Sequence, residues 1–220
     1  MRAIRRRAAA RRARIGLAML GLGLGCGLAC LRPGEPVRAQ GPAATELLVD
    51  ARVLPDGRVA VTVDRAVAFD AASETAMGLT IPLDGASGIE ILEVGEPGRH
   101  YRLGEEPAPY TYAESREDDG TTVRWIAATR PGETRRFIVT YLLSGAIDID
   151  PRGDELARTL VPPTDAAVAT ARVRVAVPPT AQAIIIADAR LLPGDAALTL
   201  ARESDTAVES AATALRPGEG

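Results

Sequence analysis

The sequence predicts an all-β fold, an immunoglobulin-like β-sandwich of about ten short strands. Three observations carry this. Apolar residues recur with period two through most of the chain, as in Arg58 to Asp64, where Val59, Val61 and Val63 alternate with Ala60 and Thr62. Turn residues punctuate these runs at short intervals: Pro55-Asp56-Gly57, Asp84-Gly85, Pro97-Gly98, Asp119-Gly120 and Pro131-Gly132. Finally, only one short stretch, Ala71 to Ala76, reads as helix.

In order, strands are expected at Glu46 to Leu54, then Val59 to Phe69 after the Pro55-Asp56-Gly57 turn. Leu79 to Leu83 and Ile89 to Val94 follow, and Pro97-Gly98 turns the chain into His100 to Leu103. The stretch from Tyr110 to Ile147 reads as three consecutive strands and holds the only tryptophan and most of the aromatic residues. Tyr110 to Glu117 and Thr121 to Thr129 pair around Asp119-Gly120, a dipeptide suited to the positive φ of a tight hairpin. That pairing places Tyr110, Tyr112, Val123, Trp125 and Ala127 on a core face, and Thr111, Ser115, Thr122 and Arg124 on the other. Arg130-Pro131-Gly132-Glu133 makes the second turn, and a third strand presents Phe137, Val139, Tyr141 and Leu143. Strands at Asp154 to Val161, Ala171 to Val177, Ala183 to Leu192, Leu198 to Leu200 and Ala207 to Leu215 complete the set. One domain is expected over 46–220, behind a 40–45 linker. The purely aliphatic composition after Leu142 offers two smaller sandwiches as the alternative.

Residues 1–39 read as an export signal. Arg2, Arg5, Arg6, Arg7, Arg11, Arg12 and Arg14 precede an apolar stretch from Ile15 to Leu31, and Val37-Arg38-Ala39 places cleavage between Ala39 and Gln40. The alternative is a retained anchor, for which 17 residues with five glycines is short. Cys26 and Cys30 lie inside this segment and have glycine, not leucine, three positions before them, which disfavours lipidation. The mature chain therefore has no cysteine, so thiolate metal sites, disulfides and cysteine nucleophiles are excluded from it.

Cleavage also changes the charge. The signal removes nine arginines and Glu35, leaving 17 basic against 28 acidic residues, a net of −11. Such a chain is unsuited to nucleic acid or to anionic lipid. Every basic residue is arginine and no asparagine occurs, as a GC-rich coding bias produces.

The order of motifs carries a resemblance. Asp56-Gly57 leads an alternating strand (DGRVAVTVDRAVAF), then come Gly78, Ile81-Pro82 and an IEILEV strand. PGETRRFIVTYLLSGAI, Asp154-Glu155-Leu156 and VRVAVP follow. In this order the chain, from about Leu47 to Gly220, resembles the exported N-terminal region of the predicted membrane proteins called domain of unknown function 2207. The resemblance implies a signal peptide, a β-rich extracytoplasmic region and one or more membrane helices, and it implies no activity. Ala157 and Arg158 stand where the family pattern has aromatic residues. The Arg130-Pro131-Gly132-Glu133 turn recurs as Arg216-Pro217-Gly218-Glu219 at the end of the chain, where the family continues into a strand and a membrane helix. The expectation is a truncated or secreted relative lacking a final strand, touching a membrane only through an uncleaved N-terminal segment or a missing C-terminal helix.

No catalytic residue, cofactor or firm metal site is expected. His100, the single histidine, adjoins a Pro-Gly turn, and neither Ser115 nor Ser144 sits in a nucleophile elbow. Asp148, Asp150 and Asp154, with Glu155, make a weak calcium candidate, interrupted by Pro151-Arg152 and better read as a solvated loop. Glu114, Glu117, Asp118 and Asp119 form a second acidic patch, suited to solubility and edge protection. Tyr101, Tyr110, Tyr112 and Trp125 offer a carbohydrate or peptide platform only if exposed, and alternation assigns three of them to the core. The function expected is a non-enzymatic module of the bacterial envelope, a scaffold or interaction domain for an envelope or extracellular protein. Ligand or polysaccharide binding through the aromatic cluster is the second reading.

Overall fold

The period-two alternation is realised as strands throughout the computed structural model, which describes residues 43–70, 72–149, 153–161, 167–179, 190–191, 196–197 and 200–216. The expected signal segment, the expected Ala39–Gln40 cleavage junction, Asp150, most of Ala183 to Leu192 and the terminal Pro217-Gly218-Glu219 lie outside the described residues.

The strands, in order, are β1 (Ala43–Val53), β2 (Val59–Ala68), β3 (Ser73–Pro82), β4 (Gly88–Glu96), β5 (Arg99–His100), β6 (Arg102–Leu103), β7 (Thr111–Glu117), β8 (Gly120–Thr129), β9 (Thr134–Ser144), β10 (Val168–Ala176), β11 (Arg190–Leu191), β12 (Ala196–Ala197), β13 (Leu200–Ser204) and β14 (Ala207–Leu215). They form an eight-stranded sheet in the order β13-β14-β10-β1-β2-β9-β4-β5 and a four-stranded sheet in the order β3-β8-β7-β6, with β11 and β12 paired separately. Both large sheets are mixed: β1 runs parallel to β10, and β6 parallel to β7. The fold is all-β, with no helix among the described residues.

The apolar faces of the two sheets meet in one buried cluster. Leu47, Val49 and Ala51 of β1, Val59, Val61 and Val63 of β2, and Phe137, Val139 and Tyr141 of β9 come from the large sheet. Met77, Leu79 and Ile81 of β3, with Val123, Trp125 and Ala127 of β8, come from the small one. Phe137 touches both Phe69, ring centroids 6.5 Å apart, and Trp125, 5.6 Å apart. The outer face of the large sheet is polar and self-paired. Arg136 Nε lies 2.8 Å from Asp64 Oδ1 and its Nη2 meets Glu46, while Arg174 Nε lies 2.7 Å from Glu203 and its Nη1 3.6 Å from Asp50.

Several expectations are corrected. The helix expected at Ala71 to Ala76 is absent where described: β3 begins at Ser73 and pairs residue by residue with β8 to Pro82. Alanine favours helix only weakly, and the pairing, with Met77, Leu79 and Ile81 buried, outweighs it. β1 begins at Ala43, so the end of the expected 40–45 linker is strand, with a bulge between Ala44 and Glu46. The three strands from Tyr110 to Ile147 are not one meander. β7 and β8 form the expected hairpin, but β9 crosses to the other sheet, between β2 and β4. The crossing is made by the expected second turn. Gly132, at φ +72°, donates to Phe69 O (2.8 Å), and Phe69 N donates to Glu133 O (2.9 Å). Gly120 does not take a positive φ. It is a close approach, since a Cβ there would stand 2.4 Å from Ile81 O. The expected Asp154 to Val161 strand is irregular chain. Glu155 makes an isolated bridge with Asp148, and the Asp84 carboxylate accepts from Thr159 N at 2.8 Å. His100 to Leu103 is split between two sheets at Tyr101.

Candidate functional site

The chain changes sheet between β5 and β6, and that corner gathers the polar and aromatic chemistry. Tyr101 N donates to Val94 O (2.8 Å), which turns the Tyr101 ring inward, 6% exposed. Its hydroxyl donates to Glu96 Oε1. Arg135 of β9 donates to both Glu96 oxygens, with Nε 3.1 Å from Oε2, and through Nη1 to Ala128 O of β8. One guanidinium thus fastens β4, β9 and β8, strands of both sheets. Burial works against the Arg135 charge, but the Glu96 hydrogen bond and charge outweigh it and hold its pKa above the ordinary value. Burial, then the hydrogen bond it donates to Glu96, pushes the Tyr101 phenol well up.

Tyr110 departs from its expected core face. It is 49% exposed at φ +63°, a conformation an aromatic residue rarely adopts. Tyr101 meets its ring edge-on at 6.0 Å, and the Arg99 guanidinium lies 4.5 Å from its centroid. Tyr112 and Trp125 are buried as cross-strand partners. Three of the four rings of the proposed aromatic platform are therefore inside the protein. The Trp125 Nε1 group is buried with no hydrogen-bond partner among the described residues.

Beside this corner, β6 covers only the start of β7. Arg102 pairs with Thr111 and Leu103 with Tyr112, and Gly104 N donates to Tyr112 O (2.8 Å) before the chain leaves the edge. From Ala113 to Glu117 the outer edge of β7 has no partner strand among the described residues. A cleft of about 550 Å³ opens there, lined by Leu103, Gly104, Glu105, Glu114 and Arg116. Leu103 is exposed, while Glu114 is largely withdrawn and lies 3.5 Å from Arg116 Nη2. Burial and the Glu114 charge together push the Tyr112 phenol up.

The remaining candidates are scattered. His100 Nδ1 lies 2.8 Å from Glu93 Oε1 on exposed surface. Ser115 pairs with Thr122 on β7, and Ser144 with Gly88 on β9, so neither shares a strand with the histidine. Asp148 is 3.6 Å from Arg158 Nη2, Asp154 is exposed, and Asp150 lies outside the described residues. Among the described residues no three His, Cys, Asp or Glu side chains are grouped to hold a metal ion. The Arg135–Glu96–Tyr101 network had no sequence signal, because its members sit on different strands with no fixed spacing.

A family model described as the N-terminal domain of a predicted membrane protein, domain of unknown function 2207, matches residues 44–220. No curated protein matches the chain. Among solved structures it is similar to yeast LTA4 hydrolase in complex with bestatin, at 10% identity and TM-score 0.50, over 85% of this chain and 30% of that one. It is similar also to a two-domain M1 zinc metallopeptidase bound to L-tryptophan (17%, TM-score 0.42, 81% and 40%). An M1 zinc metallopeptidase from Deinococcus radiodurans gives 15%, TM-score 0.40, and 79% and 39%. The chain spans 30–40% of the length of these proteins. At 10% identity, the likeness to the yeast enzyme is one of fold alone. Among the described residues, no helix is long and apolar enough to cross a membrane.

Proposed function

Because the chain belongs, as an N-terminal domain, to the family of predicted membrane proteins called domain of unknown function 2207, we propose that it is a non-enzymatic, exported module of the bacterial envelope. It acts by contact, as a scaffold or interaction domain, through a two-layer β-sandwich of immunoglobulin-like character. The single observation that carries this is the family match over residues 44–220. Two features of the molecule support it. Among the described residues no three His, Cys, Asp or Glu side chains are grouped, and the largely buried Arg135–Glu96–Tyr101 network ties strands together. The peptidase chemistry named for the similar structures belongs to those proteins, which carry more than twice this length of chain.

Protease accessibility of the native protein in intact cells and spheroplasts, read with the intact masses of the membrane and secreted fractions, tests the location. Digestion only after the outer barrier is opened, or recovery outside the cell beginning at Gln40, is the expected result. Protection in intact spheroplasts overturns an exported domain.

The second reading, ligand or polysaccharide binding by the Tyr101, Tyr110, Tyr112 and Trp125 cluster, is disfavoured by the burial of all but Tyr110. Trp125 is 2% exposed, so its fluorescence should resist a soluble quencher. Ready quenching in the folded protein would restore that reading.

A further inference from the structure

The Ala113–Glu117 edge of β7, which has no partner strand among the described residues, is more specific than a generic surface. A strand edge carries a row of backbone N–H and C=O groups that are satisfied by water or by another strand. Here the ladder is started by the chain itself: β6 pairs with Thr111 and Tyr112 and then departs at Gly104. Along the ladder's continuation, without a partner strand among the described residues, lies the cleft of about 550 Å³. It has an apolar wall, Leu103, 62% exposed, and a carboxylate, Glu114, whose side chain is 15% exposed.

The rim of the cleft carries Glu105 and Glu114 against Arg116, which lies 3.5 Å from Glu114, and the surrounding stretch of sequence is acidic. Between residues 102 and 119 there are six carboxylates, Glu105, Glu106, Glu114, Glu117, Asp118 and Asp119, against Arg102 and Arg116. A second copy of this chain would set that rim against itself and is disfavoured by like charge. An extended basic segment meets it with complementary charge. Its backbone completes the ladder, and the alternation of a strand delivers every second side chain to the cleft side.

We propose that the Ala113–Glu117 edge of β7, with its cleft, is a docking site for an extended, basic segment of a partner protein that adds as a strand. One lysine or arginine of that segment enters the cleft, its methylene stem against Leu103 and its head at Glu114. This assignment rests on the contact role proposed above and names the surface and the partner chemistry for it.

The test uses the full chain and a fluorescein-labelled decapeptide alternating lysine with threonine, against the same peptide with glutamate. Anisotropy should show binding of the lysine peptide alone, weakened by raised salt. Hydrogen exchange should show new protection at Ala113–Glu117. Leu103→Ser, at an exposed position that leaves folding intact, and Glu114→Gln should each weaken binding, the latter about tenfold, the scale of one charge-assisted hydrogen bond. No binding of the lysine peptide, equal binding of the glutamate peptide, or protection on β3 or β13 instead each overturns this site. Those outcomes leave the envelope location standing, because protease accessibility reads it independently.

Discussion

Trp125 and Phe137 lie in different sheets, yet their rings meet at 5.6 Å between centroids and 47° between planes. The Pro131-Gly132 turn between them carries the chain across the core, so the strand that follows β8 faces it instead of pairing with it. This pair closes the layers, and its removal is the sharpest probe of the core.

Trp125→Ala and Phe137→Ala should each cost about 3–5 kcal/mol, the scale of deleting a buried aromatic ring. The double variant should cost less than the sum, because the two rings share a contact. Trp125→Phe should cost less than Trp125→Ala, since it leaves a smaller void and removes a buried indole N–H that has no partner among the described residues. Urea unfolding midpoints of the four variants check this order.

Glu96 and Arg135 are paired with side chains only 17% and 10% exposed. Removing either partner by Glu96→Leu or Arg135→Met strands the other charge and should cost about 3–5 kcal/mol. Removing both should cost less than either single change. A double-mutant cycle measured by denaturant unfolding decides, and additive losses would mean the pair is not coupled.

Burial raises the phenols of Tyr101, Tyr112 and Tyr141 above their ordinary pKa of 10.0. A group whose folded-state value is raised contributes stability that is complete below its unfolded pKa and is lost as pH rises through the folded value. Stability should therefore fall as pH climbs above 10. The tyrosinate absorbance of the native protein near pH 11 should stay below that of the same chain in denaturant, until unfolding releases the buried phenols together.

Gly120→Ala should destabilise by about 1–3 kcal/mol, because the new Cβ would meet the Ile81 carbonyl oxygen at 2.4 Å, a backbone atom that cannot step aside. Gly88→Ala, also at a strand end, meets nothing within 4 Å and should change stability by less than about 0.5 kcal/mol. Thermal melts of the two variants separate steric approach from glycine content.

Much of the fold was legible in the chain before its structure. β14 spans Ala207 to Leu215, the same bounds that alternation gives, and β2, β8 and β9 follow their patterns closely. The family is legible as well, in the order of its motifs. Less legible was anything that depends on what a strand meets. The start of β3 reads as helix from its local alanine content, which says nothing of the β8 ladder that claims it. Strand alternation assigns Tyr110 to the core on the premise of an unbroken strand, whereas φ at Tyr110 is positive and its ring turns out. The cleft beside β7 was invisible for a similar reason, since it exists only because β6 stops after two pairs.

By itself, then, the sequence determined most of the strand character, most of the residues that face inward, the charge balance and the position of the main turns. These are properties of neighbours along the chain, set by side-chain alternation and by the backbone preferences of proline and glycine. The tertiary structure alone decided which strands share a sheet, that β10 lies parallel to β1 and that Arg135 reaches Glu96. It also decided that the Ala113–Glu117 edge of β7 has no partner strand among the described residues and lies beside a cleft holding Glu105 and Glu114. Those outcomes turn on contacts between distant segments, which form only when two apolar faces are buried against each other, and no local pattern encodes the partner.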